Sequence, residues 1–380
     1  MPFPGVNVNV TNGNLLKEIN AADCVPGLLV TVKTPSLVAK VLKVYSLADA
    51  EKSGITQQAE PFAHALLDEY YTELGGTKLL YIMGTDPDMT METALKSTEA
   101  NGIMKLIRAA GGDITMVAIA REASSTYSAG TAFLDKDVQA AVTVAKATGE
   151  ALQKANTPVR FLIEGIVANE TAENDFEPNT ATNGFACVVL GGTNTDGHAS
   201  VGLALARAAK YGSHVKLGAG SNGSLTATQM YIGGTPLEEF AGLETLHDVG
   251  FLTFMTRPGA AGYYFGRDNT CSNDDFRILA HGRVIDRAQR IAAQAYLPFI
   301  EEPVKMAKDG SIEPADANQR EATLDLAIRT KMSEQISDCE VVVPIKQDVI
   351  NTSTVQTKVK ILPLGYGTWI EVLLGLAASL

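Results

Sequence analysis

The chain has 380 residues, a net charge of −12, 46% hydrophobic residues and 19% charged residues. That length and apolar content fit a folded protein with a sizeable core, either two domains or one large domain with an insertion. The acidity excludes nucleic acid as a direct partner, because phosphate contacts need a basic surface.

Residues 1–24 read as an arm. Val6, Val8 and Val10 alternate with Asn7, Asn9 and Thr11, a period-two strand pattern that the Asn12-Gly13 turn signal ends. The first residues carry neither the basic nor the apolar region of a signal peptide. No apolar run reaches the roughly 20 residues that span a bilayer. A soluble protein made in the cytosol, without membrane insertion, is expected.

From residue 28 the pattern becomes α/β. Strands are predicted over 28–32, 37–45, 79–83, 114–120, 159–164, 185–190 and 214–217, with helices over 61–74, 91–108, 135–155 and 201–211. Short apolar strands alternating with helices imply a mostly parallel sheet covered on both faces. Residues 169–183 are polar and read as a surface loop. Glycine and proline are frequent between 225 and 273, so the short strands at 251–256 and 263–265 read as a connecting region. Ser272, Asn273, Asp274 and Asp275 are good N-cap residues for a helix over 276–297 that Pro298 stops. Asp316 and Gln319 form a capping-box pattern for a second helix ending near 336. Strands follow at 340–345 and 355–362, and Gly365, Tyr366 and Gly367 turn the chain into a final strand at 369–374.

The expected fold class is α/β, with a mostly parallel α/β sheet domain at 25–250 and a C-terminal α+β domain at 251–364. Extended strand arms at 1–24 and 365–380 flank them. Unpaired strands at both ends are an aggregation liability unless another chain pairs with them. A polymerising subunit follows from that, rather than an enzyme.

Catalytic and cofactor patterns are sparse. Gly218, Gly220 and Gly223 match GxGxxG, but the dinucleotide fingerprint needs a helix starting inside the motif, and residues 224–231 are Thr-rich and non-periodic. A doubly wound nucleotide- or ligand-binding enzyme using the Gly218 to Gly223 loop is the alternative reading. Residues 191–198 lack the Lys-Ser/Thr pair of a phosphate loop. The five histidines have no metal-binding spacing, and Cys24, Cys187, Cys271 and Cys339 form no CxxC pair. No cofactor or metal is expected.

Arg283, Arg287 and Arg290 fall at i, i+4 and i+7 of the predicted helix and share a face, opposite Leu279, Val284 and Ile291. Three stacked guanidiniums repel one another unless carboxylates compensate. The stripe is either a solvated face paired with acids such as Asp286, or a docking surface for an acidic protein.

The sequence resembles the contractile tail sheath proteins of bacteriophages and related injection systems. The resemblance rests on Tyr263-Tyr264-Phe265-Gly266-Arg267-Asp268-Asn269-Thr270, Arg283-Val284-Ile285-Asp286, Val341-Val342-Val343-Pro344, Gln347-Asp348-Val349 and Val359-Lys360-Ile361-Leu362-Pro363. Upstream, the helix segment at 204–210 also fits. The resemblance implies a subunit stacked with copies of itself in six-membered rings around a tail tube protein, with baseplate and tail terminator proteins as further partners. It implies assembly in the bacterial cytoplasm into a phage tail or contractile injection particle, and contraction from a metastable extended lattice that drives the tube through a target envelope. Under it, Val6, Val8, Val10, Ile370, Val372 and Leu374 become linking arms between subunits. Val359 and Ile361 join the strand system that receives them. The face of Arg283, Arg287 and Arg290 becomes the tube-docking candidate, with the helix bearing Arg320, Arg329 and Lys331 as its rival.

Overall fold

The computed structural model describes residues 23–368 and Glu371. In chain order the strands are β1 (Pro26–Thr31), β2 (Val41–Val44), β3 (Leu80–Thr85), β4 (Met116–Ala120), β5 (Arg160–Gly165), β6 (Ala186–Leu190), β7 (Tyr231–Ile232), β8 (Thr235–Pro236), β9 (Leu252–Arg257), β10 (Ala260–Phe265), β11 (Ile336–Val342) and β12 (Lys358–Pro363). The helices are α1 (Leu47–Lys52), α2 (Pro61–Leu74), α3 (Met91–Leu95), α4 (Ile103–Ala109), α5 (Lys136–Lys154), α6 (Val201–Lys210), α7 (Leu243–Asp248), α8 (Leu279–Tyr296), α9 (Pro314–Met332) and α10 (Val349–Thr352).

Every residue of β1, β3, β4, β5 and β6 is buried. Strands such as Leu28–Leu29–Val30 therefore need cover on both faces, each fully buried Leu, Ile or Val contributing roughly 1.5–3 kcal/mol. Helices α2 and α6 pack together against one region of the sheet, and α3 with α5 against another. The sheet has eight strands in the order β10-β9-β6-β5-β4-β1-β3-β2. Strands β3, β1, β4, β5, β6 and β9 run parallel, while β2 and β10 pair antiparallel at the two edges.

Several local expectations change. The helix expected over 91–108 is two, α3 and α4, because the turns around Asn101-Gly102 break it. The strand expected at 214–217 is a series of turns. Helix α8 starts at Leu279, since Asp274 spends its carboxylate on the Phe276 amide, 2.8 Å away, in a turn before the helix. Helix α9 begins with Pro314 at its first position, and Asp316 accepts from the Lys305 amide instead of capping.

The largest change concerns the domain boundary expected at 250/251. Strands β9 and β10 do not belong with the C-terminal unit. They extend the eight-stranded sheet, Val189 and Leu190 of β6 pairing with Leu252 and Thr253 of β9. The C-terminal unit is α8, α9 and the separate antiparallel pair β11–β12, with its own apolar cluster of Val284, Ile291, Leu324, Ile328, Met332 and Cys339.

Candidate assembly surface

Helix α8 is buried on two sides. Val284, Ala288 and Ile291 meet α9, while the arginine side lies along the edge where β4 and β5 begin. Arg160, the first residue of β5, forks onto Asp286 at 2.6 and 2.7 Å and also donates to the carbonyls of Gly184 and Gly282. Gly282 leaves room for this fork: a Cβ on it would stand 2.7 Å from Arg160 Cζ and push the guanidinium off its place.

The docking stripe expected from Arg283, Arg287 and Arg290 is corrected by this burial. Arg290 is 1% exposed and donates to the carbonyls of Gly112, Ile114 and Pro158 at 2.8–2.9 Å. Arg283 is 5% exposed and donates to Ala208 and Tyr211, the carbonyls that α6 leaves at its C-terminal end. Arg287 pairs with Asp23 and donates to the Lys331 carbonyl. A buried guanidinium is costly unless it finds acceptors, and here backbone carbonyls and the Asp23 carboxylate take up most, though not all, of the donors. Burial pulls all three below the ordinary arginine range. The arginines fasten α8 to the sheet domain.

The two ends of the described chain sit on neighbouring residues. Asp23 accepts from the amide and hydroxyl of Ser213, from Gln335 and from Arg287. Tyr366 donates to the carbonyl of His214 at 2.6 Å, its ring 5.5 Å from that of His281 and beneath the Lys216 ammonium. Burial pushes the Tyr366 phenol up to about 12. The sequence-predicted arm residues Val6, Val8, Val10, Ile370, Val372 and Leu374 lie outside the described residues.

Strands β11 and β12 form a sheet of two, so each has an outer edge without a strand partner among the described residues. Val341 pairs with Val359 and Cys339 with Ile361, and Val341, Cys339 and Ile361 pack toward α8 and α9. The other face carries Glu340 and Lys360, 3.0 Å apart, with Val342 and Leu362, the latter 59% exposed. Val359 and Ile361 are thus paired within the chain. The open backbone beside them is what a further strand could use.

The nucleotide-loop alternative fails on geometry. Residues 220–222 form a single 3-10 turn, not the start of an α-helix. Arg207, paired with Glu73, collects the carbonyls of Asn222, Gly223 and Ser224, so the loop is bound by its own fold. At the C-terminal end of the central strand β5, buried Glu164 accepts from the Arg121 and Ala199 amides, with His198 Nδ1 2.9 Å away. Glu69 accepts from Thr193 and Ser200. These contacts pin the loop that leads into α6. Among the described residues no His, Cys, Asp and Glu cluster is suited to a metal, and no helix is long and apolar enough to cross a membrane.

Two family models partition the chain: the DUF2586 N-terminal domain matches residues 3–269 and the DUF2586 C-terminal domain residues 275–380. The chain belongs to the DUF2586 family. The seam between the two matches falls after β10, as the sheet topology requires. No curated protein matches this DUF2586 sequence. Among solved structures, the helical sheath of the anti-feeding prophage in its contracted state aligns with TM-score 0.63 and 15% identity over 100% of both chains. The contracted PVC sheath complex of an extracellular contractile injection system aligns at 0.62 and 13%, over 100% of this chain and 98% of that one. The sheath tail protein from Desulfitobacterium hafniense aligns at 0.51 and 10%, over 95% and 100%. At these identities the likeness is one of fold. The DUF2586 chain has the fold of contractile sheath proteins, and the sequence resemblance pointed to that fold.

Proposed function

We propose that this DUF2586 protein is a structural, non-catalytic subunit of a contractile sheath, polymerising with copies of itself. The observation that carries the reading is the two-stranded β11–β12 sheet, whose outer edges have no strand partner among the described residues, in a chain whose fold matches sheath subunits. The arms at 1–24 and 365–380, through residues 6–10 and 369–374, would add strands to the β11–β12 sheet of neighbouring copies, backbone hydrogen bonds supplying attachment and side-chain alternation the register. Several weak linkages per subunit would multiply by avidity. Six-membered rings would stack around a tail tube, meeting baseplate and terminator proteins at the ends, in a particle assembled in the bacterial cytoplasm. Contraction would release energy stored in a metastable extended lattice and drive the tube through an envelope, without nucleotide. With the α8 arginines committed internally, the tube contact passes to the outward side of α9, where Leu326 is 68% exposed and Arg329, paired with Asp325 and Asp338, is exposed one turn on.

Negative-stain electron microscopy tests this reading. The full chain at high concentration should form hollow cylinders, and a chain lacking residues 1–22 should not. A full chain that stays monomeric under all conditions would overturn it.

A further inference from the structure

We propose that the arginine side of α8 encloses a binding site for one small monovalent anion, chloride in the first instance, held between the sheet domain and the C-terminal unit. Asp23, Thr115, Met116, Arg283, Asp286, Arg287 and Arg290 line a cavity of about 10 Å³, about the room one particle of water's size needs. Three of its groups carry buried N–H donors with no acceptor: Arg283 Nη1, Arg287 Nε and Arg290 Nε. Thr115 accepts from the Val25 amide at 3.0 Å, which leaves its own hydroxyl hydrogen to point elsewhere.

The carboxylates nearby are already engaged. Both oxygens of Asp286 are taken by Arg160, and Asp23 Oδ1 serves Arg287, Ser213 and Gln335. Beyond the lining, Asp268 attracts Arg283 but accepts from the Leu217 amide with both oxygens, and Asp113 attracts Arg290. Despite these attractions, burial dominates and weakens the hold of both guanidiniums on their protons. A water molecule would accept from these donors but bring no charge to a lining that sets three guanidiniums against two carboxylates, one of them shared with Arg160. An anion answers both, since charge-assisted bonds are the stronger kind and an uncompensated buried charge is costly. The anion would join α8, through its arginines, to Thr115 at the entrance of β4.

The test uses the full chain and does not depend on its assembly. Thermal unfolding is followed in sodium chloride and in sodium gluconate at equal ionic strength. The expected result is a saturable rise in Tm with chloride and not with gluconate. Crystals or frozen specimens prepared in bromide should show an anomalous or density peak within hydrogen-bond distance of the three arginines. Arg287→Gln, at the half-buried end of the site, should weaken the apparent chloride affinity roughly tenfold, the loss of one charge-assisted donor. Equal Tm in the two salts, or a site that holds water alone when bromide is present, overturns the proposal. Should the variant fail to fold, the bromide result on the unaltered chain decides.

Discussion

Arg160 and Asp286 lie 126 residues apart, yet guanidinium and carboxylate meet fork to fork, Nε to Oδ2 at 2.6 Å and Nη2 to Oδ1 at 2.7 Å. Both side chains are nearly sealed from solvent. A buried pair of this kind roughly breaks even as it forms, but removing one partner strands the other charge in a low dielectric. Asp286→Ala should therefore lower stability by about 3–5 kcal/mol, measured by urea unfolding. Replacing both residues with apolar ones of similar volume should recover most of that loss.

Helices α2 and α6 approach so closely that Gly202 has no space for a side chain: a Cβ there would overlap the Leu66 carbonyl oxygen and touch Glu69. The obstacle is backbone, so it cannot swing aside. Gly202→Ala should cost about 1–3 kcal/mol through overpacking, although alanine is the better helix former. Gly76, with open space around it, is the control. Its alanine variant should stay within about 0.5 kcal/mol of the parent.

The sheet domain was legible because its strands are apolar throughout and its helices carry ordinary start and stop signals. Pro61 opens α2, and Gly75 closes it in the left-handed region at φ 68°. The arginine stripe was read correctly as one face and wrongly as an outer one. Periodicity says which residues share a side of a helix, not what that side meets. A signal was present in Gly282, a glycine inside a helix with no capping role, which marks close approach of another group. The short strands at 251–256 and 263–265 were legible as β9 and β10, but their place in the sheet was not, because it is set by long-range pairing with β6. Residues 355–362 could be read as a strand, but that no other described strand covers β12 is a property of its pairing with β11.

Titration should report on the loop before α6. Burial pulls the His198 pKa down, but the charge and hydrogen bond of Glu164, helped by Asp196 and Glu122, outweigh it and raise the group to about 9. A histidine whose folded value is raised contributes stability that is complete below its ordinary 6.5 and is lost as pH climbs through about 9. Glu69, raised to about 7 mainly by burial, acts in the same direction between about 4.5 and 7. The urea midpoint should fall as pH rises from 6.5 to 9, and His198→Asn should flatten that slope. An unchanged slope in the variant would show that the pairing with Glu164 does not form.

The neighbouring anchors at Ser213 and His214 give the final prediction, which rests on the sheath reading. Tyr366 fixes the point from which the C-terminal arm departs, through one hydrogen bond to the His214 carbonyl and ring contacts with His281 and Lys216. Tyr366→Phe keeps the ring and removes the hydroxyl, so stability should drop by only about 0.5–1.5 kcal/mol. Assembly should suffer more. An arm whose root can drift presents its strand to the neighbour's open edge at a lower effective concentration, and that loss recurs at every linkage of the polymer. The concentration needed for cylinders, read by sedimentation and microscopy, should therefore rise severalfold in the variant while its Tm barely moves. A variant that polymerises at the parent's threshold would mean that the arm takes its direction from contacts made in the neighbour, and not from its root.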